Sequence, residues 1–337
     1  MSSRAKEILF HCSSYMVGIG ILVILIMFTG WEQFLAVFSK ISVWWLSLSI
    51  LVFACSWLFR VWRFERLVFR YIDGTDFFDL FKINISGFAL NIVFPAKLGD
   101  AAMVGFLKMQ GVKLGNAVAV IVQTRVLDLL ALVLLSSPCI LLLSKRGIPN
   151  WLTCTLLLCT LIIALSYIMV LAGKNGRFED LFKSLLEKFQ RAYLQLLLSK
   201  ARDAYRSYME IASDIRLMSV CILLSIVLWV FEASACQVIA FSIDPSIGFL
   251  PVLIAVSVSN IGKCIPATPG SVGIYESIMV VVLVLFDVPA EVALVLAVVD
   301  QLVKKFFNLL FGLPATANLG INISQLLSQY KNSQLPS

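Results

Sequence analysis

Arg125 and Asp128 stand three positions apart within an apolar run that extends from about 115 to 142. On a helix that spacing puts both on one face, where they can pair. An arginine near the centre of a spanning helix costs about 2.5–3.5 kcal/mol on insertion scales, and an ionisable group there is a functional hypothesis by default. Asp300 and Lys304, four apart, repeat the arrangement in a later run, with Gln301 beside Asp300. Glu232 lies mid-run by itself, with Gln237 further along. The remaining polar groups flank two Pro/Gly breaks. Asn91, Lys97 and Asp100 surround Pro95–Gly99; Asn260, Lys263 and Glu276 surround Pro266, Pro269, Gly270 and Gly273. The chemistry such residues can do is recognition. Arginine and lysine suit a phosphate headgroup. The helical arms starting near Gly99 and Gly270 offer free N–H groups and a dipole to an anion. Asn91 and Asn260 are placed to cap the broken backbone or to touch a substrate, and the acids to carry a coupling proton.

The elements that hold these residues lie in a membrane. Of 337 residues, 60% are apolar and 14% charged, and the mean hydropathy is +0.94. Soluble domains are about a quarter charged. A soluble enzyme, a disordered tail and a nucleic-acid reader are excluded, so no nucleic-acid partner is expected. The net charge of +7 reads as membrane topology. The eight cysteines form no C-x-x-C pair and His11 is the single histidine, so neither a metal site nor a cofactor is expected. Arg4 and Lys6 precede an apolar run from Tyr15 to Phe28 without a small-residue cleavage pattern, which predicts a retained first helix.

Apolar runs at about 9–29, 42–59, 115–142, 151–172, 217–242 and 289–312 are long enough to cross, since about 20 residues span a bilayer. The 82–94 and 101–110 runs are too short, and the stretch they form is expected to be a re-entrant hairpin. The 248–265 and 271–286 runs form either a second such hairpin or two spans. The expectation is one all-α polytopic membrane domain over 1–337 with about eight helices. Arg60, Arg63, Arg66 and Arg70 read as a basic cluster at a helix end. With the polar 173–216 segment they place 60–82, 173–216 and both termini in the cytoplasm of a cell (inner) membrane protein; loop 144–150, with Lys145 and Arg146, runs mildly against this. Phe178, Leu181, Phe182, Leu185, Leu186 and Phe189 make part of 173–216 amphipathic, either on the membrane surface or as a solvated hairpin.

The two breaks look like copies. Unit 82–142 and unit 248–312 each run Asn, Pro-Ala, Gly, acid, polar turn, then a long run with central polar residues. Ala117 precedes Arg125 by eight residues, and Ala293 precedes Gln301 by eight. Three crossings between the units would invert one relative to the other, a transporter arrangement.

The N-x-x-x-P…G-D block at Asn91–Asp100, the V-x-x-R-x-x-D residues from Val122 to Asp128, and the P-x-x-P-G-S-V-G-x-x-E block at Pro266–Glu276 resemble the transmembrane, flippase-like region of lysylphosphatidylglycerol synthases, over roughly 10–315. The resemblance implies a polytopic inner-membrane protein that moves a polar lipid between leaflets. The chain departs from that family at Ser271, where a second glycine is usual, and at Gln301, where an arginine is common. The synthases' soluble aminoacyl-transferase domain is absent, so lipid aminoacylation by this chain alone is not expected. The leading expectation is a flippase for a phosphate-bearing lipid or polyprenyl-linked glycolipid. The alternatives are a membrane-embedded enzyme of lipid-linked sugar or aminoacyl-lipid synthesis, using Asp73 and Asp76, or a scaffold subunit acting through 173–216. A membrane lipid and a lipid-modifying enzyme are the expected partners.

Overall fold

The computed structural model describes residues 19–72, 74–94, 97–137, 192–263 and 268–319, with isolated helical positions between 154 and 168. Every described element is helical. The chain runs through α1 (Ile19–Thr29), α2 (Trp31–Phe38), α3 (Val43–Val68), α4 (Phe77–Val93), α5 (Leu98–Met109) and α6 (Leu114–Ser136). It continues through α7 (Ala192–Ala212), α8 (Ile215–Ile243), α9 (Phe249–Gly262), α10 (Ile274–Val284) and α11 (Ala290–Asn318). The protein is an all-α polytopic membrane protein. Among the described helices α3, α6 and α8 are long and apolar enough to cross a bilayer.

The described helices outnumber the eight expected because each Pro/Gly break separates two helices, α4 from α5 and α9 from α10, and because α2 and α7 lie outside the apolar runs. Gly30, at φ 87, turns α1 into α2 through 94°, so a short helix stands between the apolar runs at 9–29 and 42–59. Part of the 173–216 segment is α7; the amphipathic residues Phe178–Phe189 and most of the 151–172 run lie outside the described residues, as do Pro95 and Pro266.

The 26-residue α3 is the largest departure in boundaries. It continues nine residues beyond the run that ended at 59. Its inward positions, Phe53, Trp57, Arg60, Phe64 and Leu67, recur at spacings of four and three and are buried. Arg60 and Arg63 therefore belong to the helix interior, 3% and 2% exposed, and are not part of a solvated cytoplasmic cluster. Arg66 and Arg70 do remain exposed.

At the centre α3 packs along α8. Two helical units flank this pair. In each, an arm leads to a break, a second arm and a long helix: α4, α5, α6 in one, α9, α10, α11 in the other. The correspondence is close. Asp100 and Glu276 are each the third residue of their second arm, counting from Leu98 and Ile274. Arg125 and Gln301 are each twelfth in their long helix, counting from Leu114 and Ala290, and Asp128 and Lys304 are each fifteenth. The packing is reciprocal: α4 lies on α11, and α9 lies on α6. Gly312 permits the first contact, since a Cβ there would stand 2.6 Å from the Ile85 carbonyl oxygen and 2.5 Å from Ala89 Cβ.

The backbone is left-handed at both breaks. Lys97 has φ 55 ahead of α5. Gly270 and Ser271 have φ 58 and 54 in the short 3-10 turn Pro269–Ser271. Left-handed backbone costs a non-glycine residue roughly 1–2 kcal/mol. The usual glycine at position 271 in the resembling family has this conformational reason. Strain of this kind gathers at functional sites.

Candidate functional site

A cavity of about 410 Å³ opens between the two units and the α3–α8 pair. Small-ligand sites commonly span about 300–1,000 Å³. The structure brings Asn91, Lys97, Asp100, Arg125, Asp128, Glu232, Asn260, Lys263, Gln301 and Lys304, all singled out in the sequence, to its wall. Gly270 and Ser271 of the second break line it as well. Glu276 and Asp300 do not.

The first unit's polar residues form a chain. Arg125 Nε donates to Asp100 Oδ2 at 3.0 Å, joining α6 to α5. Asn91 Nδ2 donates to Asp100 Oδ1 at 2.9 Å, while its Oδ1 accepts the Gly99 N–H at 2.8 Å. Arg125 also approaches Asp128, at 3.6 Å. Asp128 is bound more closely by others: Arg63 Nη1 lies 2.6 Å away and Trp229 Nε1 3.2 Å. The Arg125–Asp128 pair inferred from spacing exists, but each member has its nearest partner on another helix.

The second unit has its own chain. Lys304 Nζ donates to Asp300 Oδ2 at 2.9 Å, and the Tyr275 hydroxyl donates to the same oxygen at 2.7 Å. Lys304 also lies 3.8 Å from Glu232. Glu232 in turn takes the Arg60 guanidinium as its hydrogen-bonded partner. It looked solitary in sequence, yet it joins α3, α8 and α11. Gln237 turns away to donate to the Ile247 carbonyl at 2.8 Å.

Each second arm has one freed N–H near its start taken by a side chain of the protein. The Gly99 N–H is taken by Asn91, and Asp100 sits on that turn. The Gly273 N–H donates to Glu276 Oε2 at 2.7 Å, which caps α10. That helix begins at Ile274, four residues after the Gly270 expected. At Gly99 and at Gly273, three residues beyond Gly270, a side chain of the protein itself thus takes the freed N–H. Asn260 has a local bond too, from Nδ2 to the Val256 carbonyl at 2.8 Å.

Aromatic rings complete the wall. The Arg60 guanidinium lies 4.6 Å from the Phe88 ring centre and 5.5 Å from those of Trp57 and Trp229. Arg125 lies 5.2 Å from Phe88, and Lys263 Nζ 4.3 Å from Tyr275. Such cation–π contacts hold a cation where little water reaches it. Sequence reasoning missed Trp57, Arg60, Phe88, Trp229, Lys305 and Asn308 in this wall. The four-and-three spacing that carries Arg60 on the buried face of α3 was the available signal. Asp76 is exposed at the start of α4, Asp79 pairs with Lys82 at 2.8 Å, and neither lines the cavity; Asp73 is outside the described residues.

Paired charges thus line an aromatic-walled cavity between the two helical units of a polytopic membrane protein. The chain belongs to the family of the lysylphosphatidylglycerol synthase transmembrane region, whose model matches residues 15–312. It is similar to a UPF0104 membrane protein of Pyrococcus horikoshii, 23% identical over 315 residues covering 88% of this chain and 93% of the relative. A UPF0104 membrane protein of Archaeoglobus fulgidus is likewise 23% identical over 333 residues, 95% of this chain and 98% of that one.

Proposed function

We propose that the protein is a lipid flippase that carries a polar, phosphate-bearing lipid headgroup between leaflets of the cell (inner) membrane. The observation that carries this reading is the cavity: arginine, lysine and amide side chains share one wall with Trp57, Phe88 and Trp229. A headgroup with its glycerol or isoprenoid stem has the same mixed character. The two units are read as an inverted repeat, and their reciprocal packing supports that, because a two-fold relation pairs each element with its counterpart's neighbour. The breaks at Lys97 and at Gly270–Ser271 are then the seams at which the hairpins move, with both termini in the cytoplasm. Each hairpin re-enters the membrane, its irregular backbone tolerated because it faces the cavity.

The test is reconstitution of the full chain in vesicles carrying fluorescent phospholipids and polyprenyl-phosphate lipids. The expected result is that a membrane-impermeant quencher reaches inner-leaflet label faster than in empty vesicles. Exchange no faster than in empty vesicles, for every lipid, would overturn the reading.

A further inference from the structure

We infer that the cavity selects headgroups carrying two or more negative charges, a phosphate monoester or a diphosphate, over zwitterionic and cationic headgroups. This deepens the transport reading and rests on it for its physiological meaning.

The wall charge is the first observation. Six cations line the cavity: Arg60, Lys97, Arg125, Lys263, Lys304 and Lys305. Three carboxylates line it: Asp100, Asp128 and Glu232. The excess is three positive charges. Including the adjoining pair-forming residues Arg63 and Asp300 leaves it unchanged.

The second observation is how those charges are paired. Each carboxylate of the wall is already held. Asp100 has Arg125 and Asn91, Asp128 has Arg63 and Trp229, and Glu232 has Arg60 and Lys304. A cationic headgroup would have to displace one of these buried partners, leaving a desolvated charge uncompensated. By contrast Lys97, Lys263 and Lys305 have no carboxylate within 4.0 Å among the described residues. They come from three elements: the first break, the end of α9 and α11. A single phosphodiester charge neutralises a third of that excess. A dianionic phosphate or a diphosphate neutralises most of it and presents more oxygens to the ammonium groups. Selection of this kind works as much by the penalty on the wrong charge as by attraction of the right one.

The experiment compares four tail-matched lipids in vesicles holding the full chain: phosphatidic acid, phosphatidylglycerol, phosphatidylcholine and lysylphosphatidylglycerol. Binding of short-chain versions to the detergent-solubilised protein is measured by calorimetry alongside. Phosphatidic acid is expected to bind and move on the order of tenfold better than phosphatidylcholine, with lysylphosphatidylglycerol the poorest. Lys263→Gln with Lys305→Gln lowers that preference several-fold, and Lys97→Gln does so more mildly should the double variant fail to fold. Lys108→Gln, an exposed position outside the wall, leaves it unchanged. Equal transport and binding of all four lipids would overturn the selection and leave the transport reading standing. Tighter phosphatidic acid binding with no lipid moved would sustain the selection and remove the transport reading. Equal binding with no movement would remove both.

Discussion

Arg60 and Arg63 stand one turn apart on α3 and hold different carboxylates, Glu232 on α8 and Asp128 on α6. Through Glu232 the first reaches Lys304, Asp300 and Tyr275 of the second unit. Through Asp128 the second reaches Arg125, Asp100 and Asn91 of the first. One turn of α3 therefore ties both polar chains to the α3–α8 pair.

That arrangement predicts large stability losses from single truncations. Arg63→Ala leaves Asp128 without its nearest cation, and Asp128→Ala does the reverse. Breaking a buried pair from one side costs about 3–5 kcal/mol. Arg66→Ala, at an exposed neighbouring position, should stay within about 0.5 kcal/mol of the parent. Melting temperatures of detergent-purified variants check the ranking; equal shifts for Arg63 and Arg66 would contradict it.

Arg125 differs from Arg63 because its side chain is 32% exposed, toward the cavity. Arg125→Ala is expected to abolish lipid movement while retaining much of the folded protein. Arg125→Lys should be intermediate, since an ammonium cannot reproduce the two-nitrogen grip on Asp100. Transport rates read against the yield of monodisperse protein separate the two effects. Parallel loss of both quantities in both variants would assign Arg125 a structural role.

The α4–α5 junction depends on the absence of a side chain at Gly99. A Cβ there would lie 1.9 Å from the Gly87 carbonyl oxygen and 2.7 Å from Asn91 Oδ1. Gly99→Ala must push the two arms apart and release the Asn91–Gly99 bond, so a loss of about 1–3 kcal/mol is expected. Gly105→Ala, on the same helix with nothing within 4 Å of its added Cβ, should be neutral or slightly stabilising. A comparison of the two melting temperatures decides this.

Acid should loosen the start of α8. The Asp214 carboxyl is held below the ordinary range, first by the Leu217 N–H at 3.1 Å and then by Arg70 at 2.8 Å. A carboxyl depressed in the folded state adds stability above its unfolded value of about 3.9, and that stability is lost as pH falls through the folded value. Below about pH 4 the parent should lose the cap progressively, and Asp214→Asn should flatten that part of the profile. Melting temperature measured against pH tests the difference; identical acid limbs would count against it.

The polar residues at the two breaks were legible in the sequence because the membrane makes them conspicuous. Asn91, Asp100 and Arg125 have few competing explanations inside apolar runs, and ten of the polar residues singled out there meet at one cavity. Arg60 and Arg63 were hidden by their neighbours. Four arginines in eleven residues read as a helix end, and which of them face inward depends on α8 supplying Glu232 and Ser225, more than 160 residues later. The capping of α5 and α10 was out of reach for a similar reason. Proline and glycine mark a break, but the first helical residue is set by which side chain takes the freed N–H.

The contact between α4 and α11 joins Ala89 to Gly312, 223 positions downstream. At ribosomal speeds of about 5–20 residues per second, α4 waits roughly 10–45 s for that partner to be made. Throughout the wait its Ile85 and Ala89 lack the Gly312 surface they pack against. The nascent chain must therefore keep this helix at the insertion machinery, or among the helices already delivered, until α11 arrives. Truncations within α11 should therefore expose the first hairpin to quality-control proteolysis.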